Sequence, residues 1–403
     1  MPKLVQFNPV VGFGSTGRIA ENIGSFVLER GWESHIVYSG RPAAQSKSNL
    51  IQVGNKSDLY QHAIESRLFD NHGQSSKSAT KQLIKKLEVV EPSVLHFQNI
   101  HGYYLNYEIL IDFVNSNDLP VVWTFHDFWP ITGHCSYFSD ISCNKWQNNC
   151  HSCPKIGFYP KAYIDRSSRN FQHKKEVFSS IRNLIITPVS EWASGLVRNS
   201  FLKDKEVRTI YNGIDLNTFK PVPETKIREQ YQLEGKKILL ALATTWGERK
   251  GWSDYIRLAR ELSNEYVIVM VGVSPIQKKE LPGNILCIQR TNDLEELVAW
   301  YSTADIVLNL SYQETFGLTT VEGFACGTPS IVYNRTASPE LMNTQVGEIV
   351  VAGDIKGVKQ AIEKITAHGK SAYLSPCLEH AKAKFNARDR YNDYLRLYES
   401  MMA

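Results

Sequence analysis

The sequence predicts an α/β protein built from two doubly wound, Rossmann-like parallel sheets, and three observations carry that expectation. Short apolar runs alternate with amphipathic, helix-period stretches along nearly the whole chain, which is the rhythm of strand, crossover helix and parallel strand. The rhythm stops once and restarts, around "TIYNGIDLNTFKPVPE" (209–224), where Asn-Gly and two prolines are turn and linker chemistry. A length of 403 residues also exceeds what one hydrophobic core comfortably organises.

Taken in order, the first half reads as strands at 3–10, 34–40, 94–100, 120–127 and 183–190. A glycine loop and a helix over about 16–30 follow the first strand. The second half reads as strands at 236–244, 265–272, 284–290, 305–311 and 329–334, with helices such as "DLEELVAWYSTA" (293–304) between them. The last stretch, 378–402, is helix-period throughout and sets Phe385, Tyr391, Tyr394, Leu395 and Tyr398 on one stripe. Two regions break the pattern. Residues 71–82 are small and polar and are expected to be a mobile loop. Residues 128–160 are too long for an ordinary connection and are rich in Cys, Trp and Tyr. The expected domains are therefore 1–212 plus 380–403, carrying 128–160 as an insertion, and 213–379.

Composition narrows the class. Apolar residues make up 42% and charged residues 21%, as in an ordinary globular protein. A formal net charge of +4 gives no electrostatic case for nucleic acid. The N-terminus lacks a basic segment followed by an apolar core, and no apolar run reaches membrane-spanning length, so the expected location is cytoplasmic.

Four clusters carry chemistry. Gly12, Gly14 and Gly17 spell G-x-G-x-x-G between a strand and a helix, where backbone N–H groups can approach a phosphate. A dinucleotide site also wants an acid at the end of the second strand. That strand ends in Ser39 and Gly40, with Glu33 at its wrong end, so an NAD(P) oxidoreductase is disfavoured and a tight turn without ligand stays open. His126 and Asp127 end a strand, where open α/β sheets bind ligands, although a backbone group could satisfy the imidazole equally well. Lys250, with Arg249, follows the first strand of the second half and suits a phosphate. Finally, "SYQETFGLTTVEGFACGTPSIVYN" (311–334) sets Glu314 before a helix expected from about Thr315, and Glu322 inside it. The N–H groups of Phe316, Gly317 and Leu318 are helix-start donors for an anion, and the two acids could grip hydroxyls on either side of it. Ribose, diphosphate and hexose have that layout. A dipole-favouring acid explains Glu314 alone but leaves Glu322 in a small-residue, apolar helix without a role.

Together "VSEW" (189–192), "YNGIDLNTF" (211–219), "RKGW" (249–252) and the E-x7-E stretch 314–332 resemble the retaining GT-B glycosyltransferases of family 4 over nearly the whole chain. The stretch "TFHDFWPITGHC" and the insertion resemble a subgroup of bacterial exopolysaccharide and colanic acid transferases. The resemblance implies two Rossmann-like domains facing across a cleft, with the C-terminal helix returning to the first. It implies donor-sugar contacts from Glu314 and His126, a ribose contact from Glu322, diphosphate neutralisation by Lys250, and backbone donors at 316–318. It also places Gly14 at the cleft floor and Asn212 among the nucleotide-sugar residues, with a hinge at Asn212-Gly213. The family usually needs no catalytic metal. One departure stands out: Thr244 and Thr245 occupy the place of an arginine found in many members, and Arg249 could replace it.

The expected activity is transfer of a hexose from a UDP- or GDP-sugar, with retention, to a growing, lipid-linked glycan. A sugar phosphorylase, a nucleotide-sugar epimerase and a non-catalytic scaffold share the architecture. In the insertion, Cys135, Cys143, Cys150 and Cys153 suit a structural zinc, while reduced, packed cysteines explain the same residues. The insertion follows a strand that ends at the site and is placed to help with the acceptor. Lys81, Lys85 and Lys86 could touch anionic lipid at the inner membrane face, or form a solvated helix face.

Overall fold

The computed structural model describes residues 1–223 and 226–403, so the end of the linker read at 209–224 lies outside the described residues. The chain forms two compact units, Met1–Ile210 with Tyr391–Ala403, and Tyr211–Arg390. Residues 380–390 thus pack with the second unit.

The first unit is built on seven parallel strands among the described residues: β1 (Lys3–Phe7), β2 (Glu33–Tyr38), β3 (Asn49–Gln52), β4 (Val94–Phe97), β5 (Val121–Phe125), β6 (Leu184–Pro188) and β7 (Glu206–Val207). Their order across the sheet is β3-β2-β1-β4-β5-β6-β7. The order reverses between β1 and β4, and that reversal opens a crevice beyond their carboxyl ends. β4, β5 and β6 are buried at every residue, which is why they are mostly apolar, with His96, Thr124 and Thr187 the exceptions.

The second unit has six among the described residues: β8 (Lys237–Leu242), β9 (Tyr266–Val271), β10 (Ile285–Ile288), β11 (Ile306–Asn309), β12 (Ser330–Tyr333) and β13 (Gly347–Val350), in the order β10-β9-β8-β11-β12-β13. Here the reversal falls between β8 and β11. Gly272, with φ +91°, closes the end of β9 so tightly that an added Cβ would lie 1.7 Å from the Ala243 carbonyl oxygen.

Loops and helices also depart from the sequence expectation. Residues 71–82 are not a polar tip: His72, Gly73 and Ser75 are buried and a helix begins at Lys77. The Gly73 N–H donates to His62 Nε2, and the Asn106 amide donates to the Gln74 carbonyl. The C-terminal stretch is two helices, Ser371–Phe385 and Ala387–Met402, broken at Asn386. The helix after β11 begins at Leu318, since Gly317 takes a left-handed conformation (φ +110°) and stops it reaching back to Thr315.

A polar seam crosses the apolar core of the first unit. Gln98 donates to Gln6 Oε1 (3.0 Å), and Gln6 donates to the Ala20 carbonyl (2.7 Å). His96 pairs with Thr124 Oγ1 (2.7 Å) through Nε2 and with the Tyr398 hydroxyl (2.6 Å) through Nδ1. Thr124 also meets Thr187 (2.8 Å) and Tyr394 (3.0 Å). Burial holds the His96 imidazolium well below its ordinary range, so the ring is neutral. The final helix is therefore part of this unit's interior. Tyr398→Ala would remove a fully buried ring packed on Trp32 and its hydroxyl's bond to His96 Nδ1, leaving that nitrogen only Gln98 Nε2 (3.2 Å), and would lower stability by about 3–5 kcal/mol in urea unfolding; Tyr398→Phe would cost about 0.5–1.5 kcal/mol.

Candidate functional site

The clearest constellation lies in the second unit, at the reversal between β8 and β11. The loop after β8 carries Arg249 and Lys250, and the loop after β11 carries Ser311 to Gly317. Gly251 joins them: φ is +77° and a Cβ there would sit 2.2 Å from the Leu310 carbonyl oxygen, so only glycine lets the two loops touch. The helix behind, Trp252–Glu261, fixes both loops. Its Tyr255 hydroxyl donates to the Leu308 carbonyl (2.8 Å) and accepts from Leu310 N–H (3.3 Å). Its buried Asp254 accepts from the Tyr312 and Tyr333 hydroxyls, both at 2.8 Å.

Lys250 Nζ and Glu314 Oε1 form an ion pair there, with side chains 20% and 12% exposed. Ser311 Oγ donates to the same oxygen (3.0 Å), and Glu314 N–H donates to Thr336 Oγ1 (2.9 Å). Burial alone would raise the Glu314 carboxyl, but the charges of Lys250 and Arg249 outweigh it and hold the group below its ordinary value. Burial lowers the Lys250 ammonium somewhat, against the pull of Glu314. Arg249 is held by its Nη1 to the Gln313 carbonyl (2.9 Å), and its own carbonyl accepts from Tyr312 N–H (2.9 Å).

Next to the pair starts the Leu318–Ala325 helix, capped by Gly317. Its first N–H groups have no intrahelical partner and carry the positive end of the helix dipole. The Phe316 ring is buried and packs near Tyr211 and Phe385 at about 6 Å, which anchors the backbone of 316–318. Glu322 lies on that helix, buried, and accepts from the Tyr301 hydroxyl (2.6 Å). The structure thus brings Lys250, Arg249, Glu314 and the helix start together. Glu322 sits on the helix they adjoin, held from behind by Tyr301. Asn212 is buried beside the Ile214–Asn386 bridge of the same unit. Ser311, Thr336 and Tyr301 were not read from the sequence: two hydroxyls in loops and one aromatic in an apolar helix carry no spacing that marks them.

In the first unit, His126 ends β5 and pairs through Nε2 with Gln98 Oε1 (2.8 Å), which makes Nε2 the protonated nitrogen. Burial lowers its pKa to about 4. Asp127 turns to His101 Nε2 (3.0 Å) and Trp129 N–H (3.0 Å), and His101 Nδ1 meets the Tyr159 hydroxyl (3.1 Å). That chain ties the far end of the insertion to the strand end. Gly14 opens the helix Gly14–Leu28, and Gly12 N–H donates to the Gly17 carbonyl (3.3 Å). Ser39, where a dinucleotide site would hold a ribose, is buried and donates to the Pro9 carbonyl (2.7 Å).

The insertion contains no long helix or strand, only 3-10 turns at Trp129–Ile131, Ser139–Ile141 and Lys145–Gln147. Cys135, Cys143, Cys150 and Cys153 line one small cavity walled by Phe138 and Trp146, whose rings stack at 5.1 Å. None of the four is in a disulfide. Among the described residues no three of His, Cys, Asp and Glu stand in an arrangement that would hold a metal ion. Beneath, Lys174 Nζ lies 3.4 Å above the Trp129 ring and donates to the Trp129 and Thr132 carbonyls, with burial bringing its pKa to about 7.

Comparison with known proteins gives these features a context. A putative colanic acid biosynthesis glycosyl transferase, WcaC, of Escherichia coli strain K12 is 24% identical over 99% of this chain and 100% of its own. A sucrose-phosphate synthase from Thermosynechococcus elongatus superposes with a TM-score of 0.70 at 16% identity, covering 100% of this chain and 99% of that one. HepE of Anabaena, solved with UDP, superposes with a TM-score of 0.69 at 13% identity, covering 99% and 100%. These structural likenesses establish the GT-B fold. The model "Glycosyl transferases group 1" matches residues 223–373, and "Glycosyltransferase Family 4" matches residues 16–218, half of the chain. The protein belongs to glycosyltransferase family 4.

Proposed function

We propose that this glycosyltransferase moves a hexosyl group from a UDP- or GDP-sugar to a growing, lipid-linked glycan of a bacterial surface polysaccharide, with retention of configuration. One observation carries the reading: Lys250 and Glu314 meet at the carboxyl edge between β8 and β11, beside the first turn of the Leu318–Ala325 helix. Breaking a glycosyl–phosphate bond leaves negative charge on the departing diphosphate. Fixed donors and a cation aimed at that charge lower the barrier because they need no rearrangement as it develops. Lys250, Arg249 and the N–H groups of 316–318 supply them. An arriving diphosphate draws Lys250 away from Glu314, and the released carboxylate accepts hydroxyls of the donor sugar. Glu322 accepts ribose hydroxyls. His126, neutral and with Nε2–H committed to Gln98, offers Nδ1 as an acceptor to a sugar hydroxyl. Gly14 keeps the backbone near the transferred group free of side chain, and Asn212 contributes from the start of the second unit. WcaC, related over its full length, is named for colanic acid biosynthesis, and that supports the polysaccharide setting.

We propose also that the four insertion thiols bind a structural zinc. Their donor set and shared cavity support this, although the sulfurs must draw together as the ion enters. Catalysis takes no metal.

Three outcomes test these readings. Lys250→Ala and Glu314→Gln each lower kcat/KM for transfer by about 100-fold or more, measured with the donor that thermal-shift screening of UDP-, GDP- and other nucleotide sugars selects. Glu322→Ala weakens the corresponding free nucleotide by about tenfold in calorimetry, and unchanged affinity would remove its ribose role. Elemental analysis of purified protein finds about one zinc per chain, and a Cys150→Ser/Cys153→Ser variant loses it; purified protein without zinc refutes the metal site.

A further inference from the structure

One buried hydrogen-bond chain in the first unit has a direction, and it ends on a residue of the candidate site. It starts at the Ala20 carbonyl, inside the helix Gly14–Leu28. A backbone carbonyl only accepts, so the terminal atom of Gln6 that lies 2.7 Å from it is the amide nitrogen. Gln6 Oε1 then faces Gln98 and accepts from its Nε2 at 3.0 Å. With its nitrogen turned that way, Gln98 presents Oε1 to His126 Nε2 at 2.8 Å. An amide oxygen only accepts, so the proton of the neutral imidazole sits on Nε2 and the lone pair on Nδ1. Two glutamines thus carry one polarity from a helix carbonyl, past β1 and β4, to the end of β5.

A second contact enforces the same direction. Gln98 Nε2 lies 3.2 Å from His96 Nδ1, and the Tyr398 hydroxyl lies 2.6 Å from that nitrogen. His96 Nε2 meets Thr124 Oγ1 at 2.7 Å, so Nδ1 is the accepting nitrogen of that ring. Turning the Gln98 amide over would set its oxygen against Gln6 Oε1 and the His96 lone pair together. Turning Gln6 over as well would aim its oxygen at the Ala20 carbonyl oxygen. Gln6, His96 and Gln98 are all buried, so a reversed contact has no solvent to replace it. Asp127, next to His126 in sequence, does not compete for the ring: it turns to His101 Nε2 (3.0 Å) and Trp129 N–H (3.0 Å).

We infer that Gln98, aimed by Gln6 and His96, is a positioning residue that locks His126 in the Nε2–H tautomer and makes it an acceptor-only contact for a hydroxyl of the donor sugar. This rests on the proposed contact between His126 and that sugar. An imidazole free to exchange tautomers could present either a lone pair or an N–H at Nδ1, and so meet a hydroxyl, an ether oxygen or a carbonyl. The locked ring meets only a group that brings its own proton. Discrimination at this point is by polarity: a sugar with that hydroxyl replaced by hydrogen or alkylated leaves the lone pair unmet.

The test is nitrogen NMR of the whole protein, isotopically labelled at histidine, at neutral pH with neither donor nor acceptor substrate present. Couplings to the ring protons on carbon separate the two tautomers, and His126→Phe identifies the signal. The expected result is a single form with the proton on Nε2, at His126 and at His96. Gln98→Met removes the accepting oxygen and keeps an unbranched side chain. A share of the Nδ1–H form is then expected at His126, and kcat/KM for transfer falls about fivefold to tenfold. Gln98→Glu, whose carboxyl oxygen can again accept, is expected to restore the Nε2–H form and most of the transfer. The inference is overturned by an Nδ1–H form or a mixture at His126 in the unaltered protein, or by an Nε2–H form that Gln98→Met leaves unchanged. The spectra need no sugar, so they stand apart from the proposed reaction: unreduced transfer by His126→Phe overturns the sugar contact and leaves the tautomer assignment in place.

Discussion

Parallel strands deliver every following loop to the same edge of the sheet, and a reversal of strand order separates two of those loops enough to admit a ligand. In the second unit this constraint places the loops after β8 and β11 side by side, so that Lys250 and Glu314, 64 residues apart in sequence, become partners. In the first unit the same reversal, between β1 and β4, places the glycine loop near Gln98, which orients His126. The chemistry is a consequence of topology first and of side-chain identity second.

Charge at that edge is expensive to maintain, and the surroundings show how it is met. A buried ion pair gains little net stability, but losing one member leaves the other without compensation. Ser311 donates to the Glu314 oxygen that Lys250 engages, Thr336 takes the Glu314 N–H, and Tyr301 donates to Glu322. Asp254 and Tyr255 lock the two loops to one helix, so the charged pair does not depend on loop stiffness. Preorganisation of this kind is what an electrostatic account of catalysis requires, since donors that must first reorient give back much of what they stabilise.

Much of this was legible from residues. Inner strands are mostly apolar because both faces are covered: β4, β5, β8 and β11 each carry a single polar residue and β1 two. Among the described residues, three edge strands escaped notice: β3 is mostly exposed, β7 has two residues and β13 four, whereas the edge strand β10 was read at 284–290. Residues 71–82 were misread because small polar residues mark loops, while here their backbone is pinned by His62 and Asn106, contacts that local composition does not encode. Lys250, Glu314 and Glu322 stood out as charges in unlikely company. Their partners did not, because a serine, a threonine and a tyrosine become visible only once the fold brings them near.

The polar seam of the first unit has a consequence for synthesis. His96 and Thr124 emerge early from a ribosome, but Tyr394 and Tyr398, which complete their bonding, are translated only after the entire second unit. Until then the nascent sheet holds a threonine and a neutral imidazole without their tyrosine lid. The amino-terminal lobe must wait, incomplete, while its neighbour is made, and assembly of the first-translated half is finished by the last-translated turns.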